Sequence, residues 1–386
     1  MRNLISTLTI LISCILVSCS SSKTSNGQAD GDTVAFKYAR HLTIVKMDGY
    51  TKVDLVDPWK EGKILHTYYL VPKGSEGDEL SAELKSKGKT QVVEASSVVR
   101  TPVDRSIVFT TVHSALLMEL GAKEKISGVC DSKYIHIPWI QQQLKVGKIA
   151  DCGNGMNADV EKIIDSKPGI ILVSPFENSG GYGKLEEIDI PIIEAADYME
   201  TSALGRAEWM KFYGMLYGKE TEANRLFEQV DSTYQALKQE ATKSKIQRSL
   251  ITEMKMGGVW YVPGGQSVAG TLFKDAGGKY VFGANKDQGS LSYPFEKVLD
   301  EAGNADVWTY KYDSHPATLQ EIYSDYQGYG EMKAWKTGEV YGCNTSTSTY
   351  YEEASFHPER VLRDYIIILH PDLNLGALRY YQRIPH

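Results

Sequence analysis

Cysteine, histidine and phenylalanine are sparse in this 386-residue chain, at five, eight and nine copies. No Cys-x-x-Cys pair or Cys/His cluster occurs, which excludes the common structural zinc sites, and no metal or cofactor is expected. A Gly-x-Ser-x-Gly elbow, a His-Glu-x-x-His helix and a Gly-x-x-x-x-Gly-Lys loop are also missing. That removes the most recognisable hydrolase, metalloprotease and nucleotide-binding signatures. Lys and Arg, 42 against 49 Asp and Glu, are scattered and leave a net charge of −7. With no basic stripe, nucleic acid is not an expected partner. Cys14 and Cys19 lie in the N-terminal segment, and the other three, Cys130, Cys152 and Cys343, cannot all pair. Cys130 and Cys152 read either as one bridge or as two buried free thiols.

What is present begins with a leader. Arg2 precedes an apolar run from Leu4 to Val17 that is too short for a membrane span and has the layout of a secretory signal. Leu16-Val-Ser-Cys19 resembles a bacterial lipobox, in which Cys19 would be acylated and become the first mature residue. The polar, Gly/Ser-rich stretch after it cannot build a core and would act as a tether of roughly 20 Å. The expected organisation is residues 1–19 as lipoprotein signal, 20–34 as tether, 35–205 as a first α/β lobe, 206–245 as connecting helices and 246–386 as a second α/β lobe. The expected location is the cell envelope, with a lipid-anchored body facing the periplasm or the outer face of the cell membrane.

The stretch from 205 to 245 reads as helix almost throughout. Trp209, Phe212, Tyr213, Leu216 and Tyr217 share one helical face, Gly218 interrupts, and Ala223, Leu226, Phe227, Val230, Tyr234 and Leu237 resume the pattern. Residues 220–243 contain no Gly or Pro, so the second part forms a rod of about 36 Å at 1.5 Å per residue. Its flanks look like weak copies of each other. Glu161-Lys-Ile-Ile-Asp165 leads into the apolar run 169–173, and Glu296-Lys-Val-Leu-Asp300 leads into 305–308. Likewise 117–121 and 272–277 each end a helix at Gly before a strand.

Before the rod, alternation and the turn dipeptides Asp48-Gly49 and Asp57-Pro58 predict an antiparallel meander over 41–47, 50–56 and 64–71, edging the first lobe's sheet. Strands at 91–94, 106–111, 126–130, 170–173 and 192–193 alternate with helices at 113–120 and 159–166. After the rod, strands at 250–256, 259–262, 306–310 and 339–342 alternate with helices at 268–275, 294–301 and 358–370. This grammar predicts mainly parallel sheets covered on both faces.

The order of these elements, the segments 161–173 and 293–299, the long helix between them and the ending Arg360-Val-Leu-Arg-Asp-Tyr-Ile-Ile-Ile-Leu-His-Pro371 resemble the ABC-transporter substrate-binding proteins for cobalamin and ferric chelates. The resemblance covers 98–371; the meander lies outside it. It implies an α/β fold of two Rossmann-like lobes joined by one long α-helix, as in class III periplasmic binding proteins. It further implies a monomeric binder rather than an enzyme, with a metal chelate as ligand (a corrinoid, a ferric siderophore or haem) and a membrane permease as partner. In that family one acidic residue on top of each lobe docks to permease arginines, and Glu161 and Glu296 match those positions. Paired carboxylates on a rigid body fix orientation and encounter rate; both also suit ordinary exposed positions near a helix N-terminus.

Ligands of open α/β sheets sit beyond the carboxyl ends of strands. Four loops are then candidates to line the cleft, and they carry Tyr134, Phe176, Tyr182, Trp260, Tyr261, Tyr312 and His315. Tyrosine, at 24 copies, offers an apolar face and a polar tip suited to ring-shaped guests. Tyr134, Tyr182 or His315 would also suit a haem iron as axial ligand. His113 reads either as facing the cleft or as a capped structural histidine, and Gly264-Gly265-Gln-Ser267 at a strand-to-helix turn suits an anion. An exported α/β hydrolase or a surface adhesin are the competing classes.

Overall fold

The structure is a computed structural model that describes residues 31–88, 96–177 and 181–386. The leader, Cys19, most of the tether and the strand expected at 91–94 lie outside the described residues.

The meander is real, but it builds its own sheet. β1 (Asp32–Thr33), β2 (Leu42–Lys46), β3 (Thr51–Val56) and β4 (Ile64–Pro72) are antiparallel neighbours, and α1 (Ser75–Gly88) carries the chain back so that β5 (Ser96–Thr101) pairs parallel with β4. Leu42, Ile44, Val53, Leu55, Tyr68 and Leu70 alternate along these strands and bury one face. In register, Ile44 faces Val53 and Val53 faces Tyr68.

The first lobe's sheet is separate and wholly parallel. β6 (Ser106–Val108), α2 (Thr111–Glu119), β7 (Ile126–Val129), α3 (Pro138–Lys145) and β8 (Ala150–Asp151) come first. A small hairpin, β9 (Gly153–Asn154) and β10 (Asn157–Ala158), precedes α4 (Val160–Asp165), β11 (Ile170–Val173) and β12 (Ile192–Glu194). The strand order is β12-β11-β6-β7-β8, and β6, β7 and β11 are buried along their length, as expected for a parallel sheet covered on both faces. The meander sheet abuts its edge, and Tyr68 supplies hydrogen bonds across the seam. The Tyr68 hydroxyl donates to the Ile192 carbonyl (3.0 Å) and accepts the Glu194 N–H (2.9 Å), satisfying two backbone groups of edge strand β12.

Between the lobes run α5 (Ala203–Glu208), α6 (Met210–Tyr217) and α7 (Glu220–Ala241). Gly218 stops α6 at φ 66°, the left-handed cap that favours glycine. Gly214 is required by the tight turn that follows, since a Cβ there would lie 2.6 Å from the Ala223 side chain. The 22-residue α7 buries Ala223, Phe227, Val230, Tyr234 and Ala241.

The second lobe contains β13 (Ser249–Thr252), β14 (Lys255–Met256), β15 (Val259–Pro263), α8 (Val268–Asp275), β16 (Lys279–Tyr280), β17 (Ser290–Pro294) and α9 (Phe295–Ala302). It continues with β18 (Val307–Tyr312), α10 (Leu319–Asp325), α11 (Lys333–Thr337), β19 (Val340–Asn344), α12 (Tyr350–Glu353), α13 (Pro358–Leu369) and β20 (Gln382–Arg383). The main sheet runs β16-β13-β18-β19-β20, parallel except for β20. The expected strand 250–256 is in fact two. Glu253, at φ 68°, turns the chain out of β13, and β14 joins β15 and β17 in a small antiparallel sheet. α7 packs on α6, its neighbour in the connection, and on α13 of the second lobe.

Cys130, Cys152 and Cys343 are free and buried, which sets aside the Cys130–Cys152 bridge. Burial pushes the Cys152 thiol up to about 11.

Candidate functional site

A cleft of about 980 Å³ lies between the lobes, at the carboxyl ends of both parallel sheets. Thr110 and Lys133–Tyr134 follow β6 and β7 on one side; Glu253, Asp313 and Thr345–Ser346 follow β13, β18 and β19 on the other. α8, which is capped by the Ser267 hydroxyl accepting the Gly270 N–H at 3.0 Å, brings Leu272 and Phe273 to the wall, and α12 brings Tyr350 and Tyr351. The loop Gly264–Ser267 thus closes on its own helix.

Three cations enter the cleft: Lys133, Arg206 and Lys311. Lys133 Nζ sits 4.6 Å from the Tyr134 ring centroid, a cation–π contact. Arg206 Nε donates to Asp197 Oδ2 (3.0 Å), and the buried Asp197 also lies 2.9 Å from His113 Nε2 and accepts the Tyr213 hydroxyl at 2.9 Å. Burial alone would raise the Asp197 carboxyl, but His113, Arg206 and Tyr213 outweigh it and hold it at about 2. His113 is therefore a structural residue that orients Arg206 through Asp197. Lys311 pairs with Glu253. Burial opposes its charge, and the Glu253 carboxylate overcomes that and holds the ammonium above its usual range.

Of the seven aromatic or imidazole candidates, only Tyr134, 61% exposed, lines this cleft. Phe176 and Tyr182 line a neighbouring hollow of about 940 Å³ on the first lobe, which shares Thr110 with the cleft. Trp260 requires correction. It is fully buried, packed on Phe295, Trp308 and Tyr329 with ring centroids 5.6–6.0 Å apart. Its indole N–H donates to the Thr252 carbonyl (3.0 Å), and that of Trp308 donates to the Glu253 carbonyl (2.8 Å). The two indoles thus brace from behind the left-handed turn that presents Glu253 to Lys311. Tyr312 is also buried, its ring tilted against that of Tyr310 with centroids 5.4 Å apart and its hydroxyl accepting a hydrogen bond from Gln382. Tyr261 is exposed on the opposite face of β15 from Trp260, and His315 is exposed beside Glu321; neither lines the cleft.

Lys311 and Arg206 are among the cleft residues that the sequence reading missed, together with Glu253, Leu272, Phe273, Tyr350 and Tyr351. Strand alternation held a signal for the first: Tyr310 and Tyr312 share one face of β18, so Lys311 faces the other way. Arg206 carries no comparable signal, because only the fold brings α5 to the cleft. Glu161 and Glu296 are exposed in the first turns of α4 and α9, each the helix that precedes a parallel strand, β11 and β18. Asp159 caps α4 by accepting the Lys162 N–H at 3.2 Å. Among the described residues, no group of three or more His, Cys, Asp or Glu is placed to hold a metal ion, and no helix is long and apolar enough to cross a membrane.

Known proteins share this plan. Residues 107–347 match the periplasmic binding protein family. An uncharacterized lipoprotein of Methanocaldococcus jannaschii is 26% identical over 365 residues, spanning 90% of this chain and 85% of its own. The ABC-type Fe3+-hydroxamate transport system of Saccharomonospora viridis is 18% identical, with a TM-score of 0.54 over 71% of this chain and 94% of that one. A periplasmic heme binding protein of Pseudomonas aeruginosa is 14% identical, with a TM-score of 0.56 over 74% of this chain and 99% of that one. Two parallel sheets bridged by a long helix, a cleft beyond their strand ends and a match over most of the chain agree: it belongs to the periplasmic binding protein family.

Proposed function

We propose that this protein is the substrate-binding component of an ABC importer, anchored by a lipid on Cys19 and handing a metal chelate to a permease. The observation that carries the reading is the cleft of about 980 Å³ walled by both lobes, a size within the usual range for enclosed small-molecule ligands. Its aromatic walls suit stacking on a haem, corrinoid or catecholate ring, and Lys133, Arg206 and Lys311 suit the acidic groups that such chelates carry. Helix α7, seated on α6 and α13, favours small closure around a largely preformed site. Glu161 and Glu296, exposed at one turn of each lobe, serve as the docking carboxylates. The chain is proposed to act as a monomer at the cell envelope, with residues 206–245 as the connector between lobes spanning 35–205 and 246–386.

The test is a ligand screen. Haemin, cobalamin and ferric hydroxamate and catecholate siderophores are each incubated with the protein, followed by co-elution and melting temperature. A ligand at 100 times its Kd adds about 2.7 kcal/mol of stability. Turnover of a chromogenic ester or glycoside without any ligand shift would refute the reading.

A further inference from the structure

A second cavity, of about 650 Å³, opens at the seam where the meander sheet meets the edge of the first lobe. One wall comes from β4, α1 and β5, which precede the family-matched stretch, and the other from residues 182–194. Leu65, Tyr69, Val98 and Leu185 give it apolar sides. At its polar end, the Tyr182 hydroxyl donates to Glu194 Oε1 (2.9 Å), His66 Nδ1 lies 3.5 Å from Glu194 Oε2, and His66 Nε2 lies 3.1 Å from Ser97 Oγ. The His66 ring stacks on Tyr68, with centroids 4.3 Å apart. The His66 and Glu194 side chains are each 13% exposed, and both residues line the cavity.

The charges at this end do not balance. Burial drives His66 down to about 4, so it is neutral at neutral pH. Burial, reinforced by Asp57 and Glu186, pushes the Glu194 carboxyl up, against the hydrogen bond from Tyr182. His66 is the ion-pair partner that Glu194 has among the described residues, and it carries no charge there. Lys85, the cation lining the cavity, is turned to the exposed Asp189 at 3.9 Å. A nearly buried carboxylate with hydrogen-bond donors but no cation is a costly arrangement, and a positive guest would relieve it.

We propose that this seam is a second ligand site, selective for a small organic cation: an amine or guanidinium head against Glu194 and Tyr182, with an apolar body between Leu65, Tyr69 and Leu185. Carboxylate plus aromatic rings is the chemistry that recognises ammonium groups. The contact order Ser97–His66–Glu194 resembles a hydrolytic relay, but a base at about 4 is too weak to activate a serine at neutral pH.

Calorimetric titration of the protein with phenethylamine, agmatine and spermidine, and with phenylacetate as the charge-reversed control, tests this. At least one amine is expected to bind with one-to-one stoichiometry while phenylacetate does not. Glu194→Gln, which keeps an acceptor for Tyr182 and removes the charge, should weaken that amine about tenfold or more while leaving chelate binding in the inter-lobe cleft unchanged. Because this variant also removes an unpaired buried charge, its melting temperature should hold or rise, so a loss of binding is not a loss of fold. Failure of all three amines, equal binding of amine and carboxylate, or indifference to Glu194→Gln overturns the proposal. So does ester hydrolysis that disappears in Ser97→Ala. Loss of the central chelate site in a ligand screen would not touch it.

Discussion

His357 is the place where one side chain ties the lobes together and where the consequence can be worked out. It is buried between Glu119, the last residue of α2 in the first lobe, and Glu359, whose Oε1 lies 2.9 Å from Nδ1 at the start of α13. Burial alone would lower its pKa, but the hydrogen bonds to Glu119 and Glu359 outweigh this and raise it from 6.5 to about 9. At roughly 1.4 kcal/mol per unit, a rise of that size is on the order of 3 kcal/mol of folded-state stability. The folded state holds the proton more tightly than the unfolded chain does. The contribution is therefore complete below pH 6.5, shrinks as pH rises through the window from 6.5 to about 9, and is gone above it. His357→Gln keeps a hydrogen-bonding amide but no charge, leaving Arg360, 3.7 Å from Glu119 and 3.6 Å from Glu359, as the cation beside the two carboxylates. Glu359 Oε2 has no hydrogen-bond partner among the described residues. Urea denaturation at pH 6, 7.5 and 9.5 should show the variant less stable by about 3 kcal/mol at the lowest pH, with the gap closing toward the highest. A gap that stays constant across this range would refute the reasoning.

Three further outcomes are expected. Trp260→Ala should cost about 3–5 kcal/mol in a denaturant titration, as for a fully buried ring, and should also weaken ligand binding by loosening the Glu253 turn; a loss under 1 kcal/mol would contradict the bracing role. Lys311→Met should lower affinity for an anionic chelate about ten- to hundredfold, and unchanged affinity would place the ligand elsewhere. Glu161→Arg combined with Glu296→Arg should abolish uptake and leave the dissociation constant of the ligand intact; parallel loss of both would count against docking through these residues.

The element order was largely legible because it rests on local chemistry. The buried face of α7 follows from the spacing of Ala223, Phe227, Val230 and Tyr234, its start from Gly218, and the closing helix α13 from Pro358 and an apolar run. The repeats at Glu161 and Glu296 correctly marked equivalent helix-to-strand units. The single strand expected at 250–256 failed because a left-handed residue that is not glycine, Glu253, has no signature in the chain. The cleft lining was poorly legible. Aromatic content pointed to Trp260 and Tyr312, yet an aromatic at a strand end is as useful beneath the cleft as in it, and these two went to the core.

The sequence alone determined the principal helices and strands, the mainly parallel character of the two main sheets and the long helical connection between them, because periodicity, capping and glycine placement act over a few residues. Only the tertiary structure decided which side chains meet in the cleft, that the meander forms a sheet of its own, and that His66, Ser97, Tyr182 and Glu194 share one cavity. Several of those encounters, such as His66 with Glu194 and Thr111 with Glu352, join segments distant in the chain, and what places them is the packing of whole sheets against each other, which no short stretch of chain encodes.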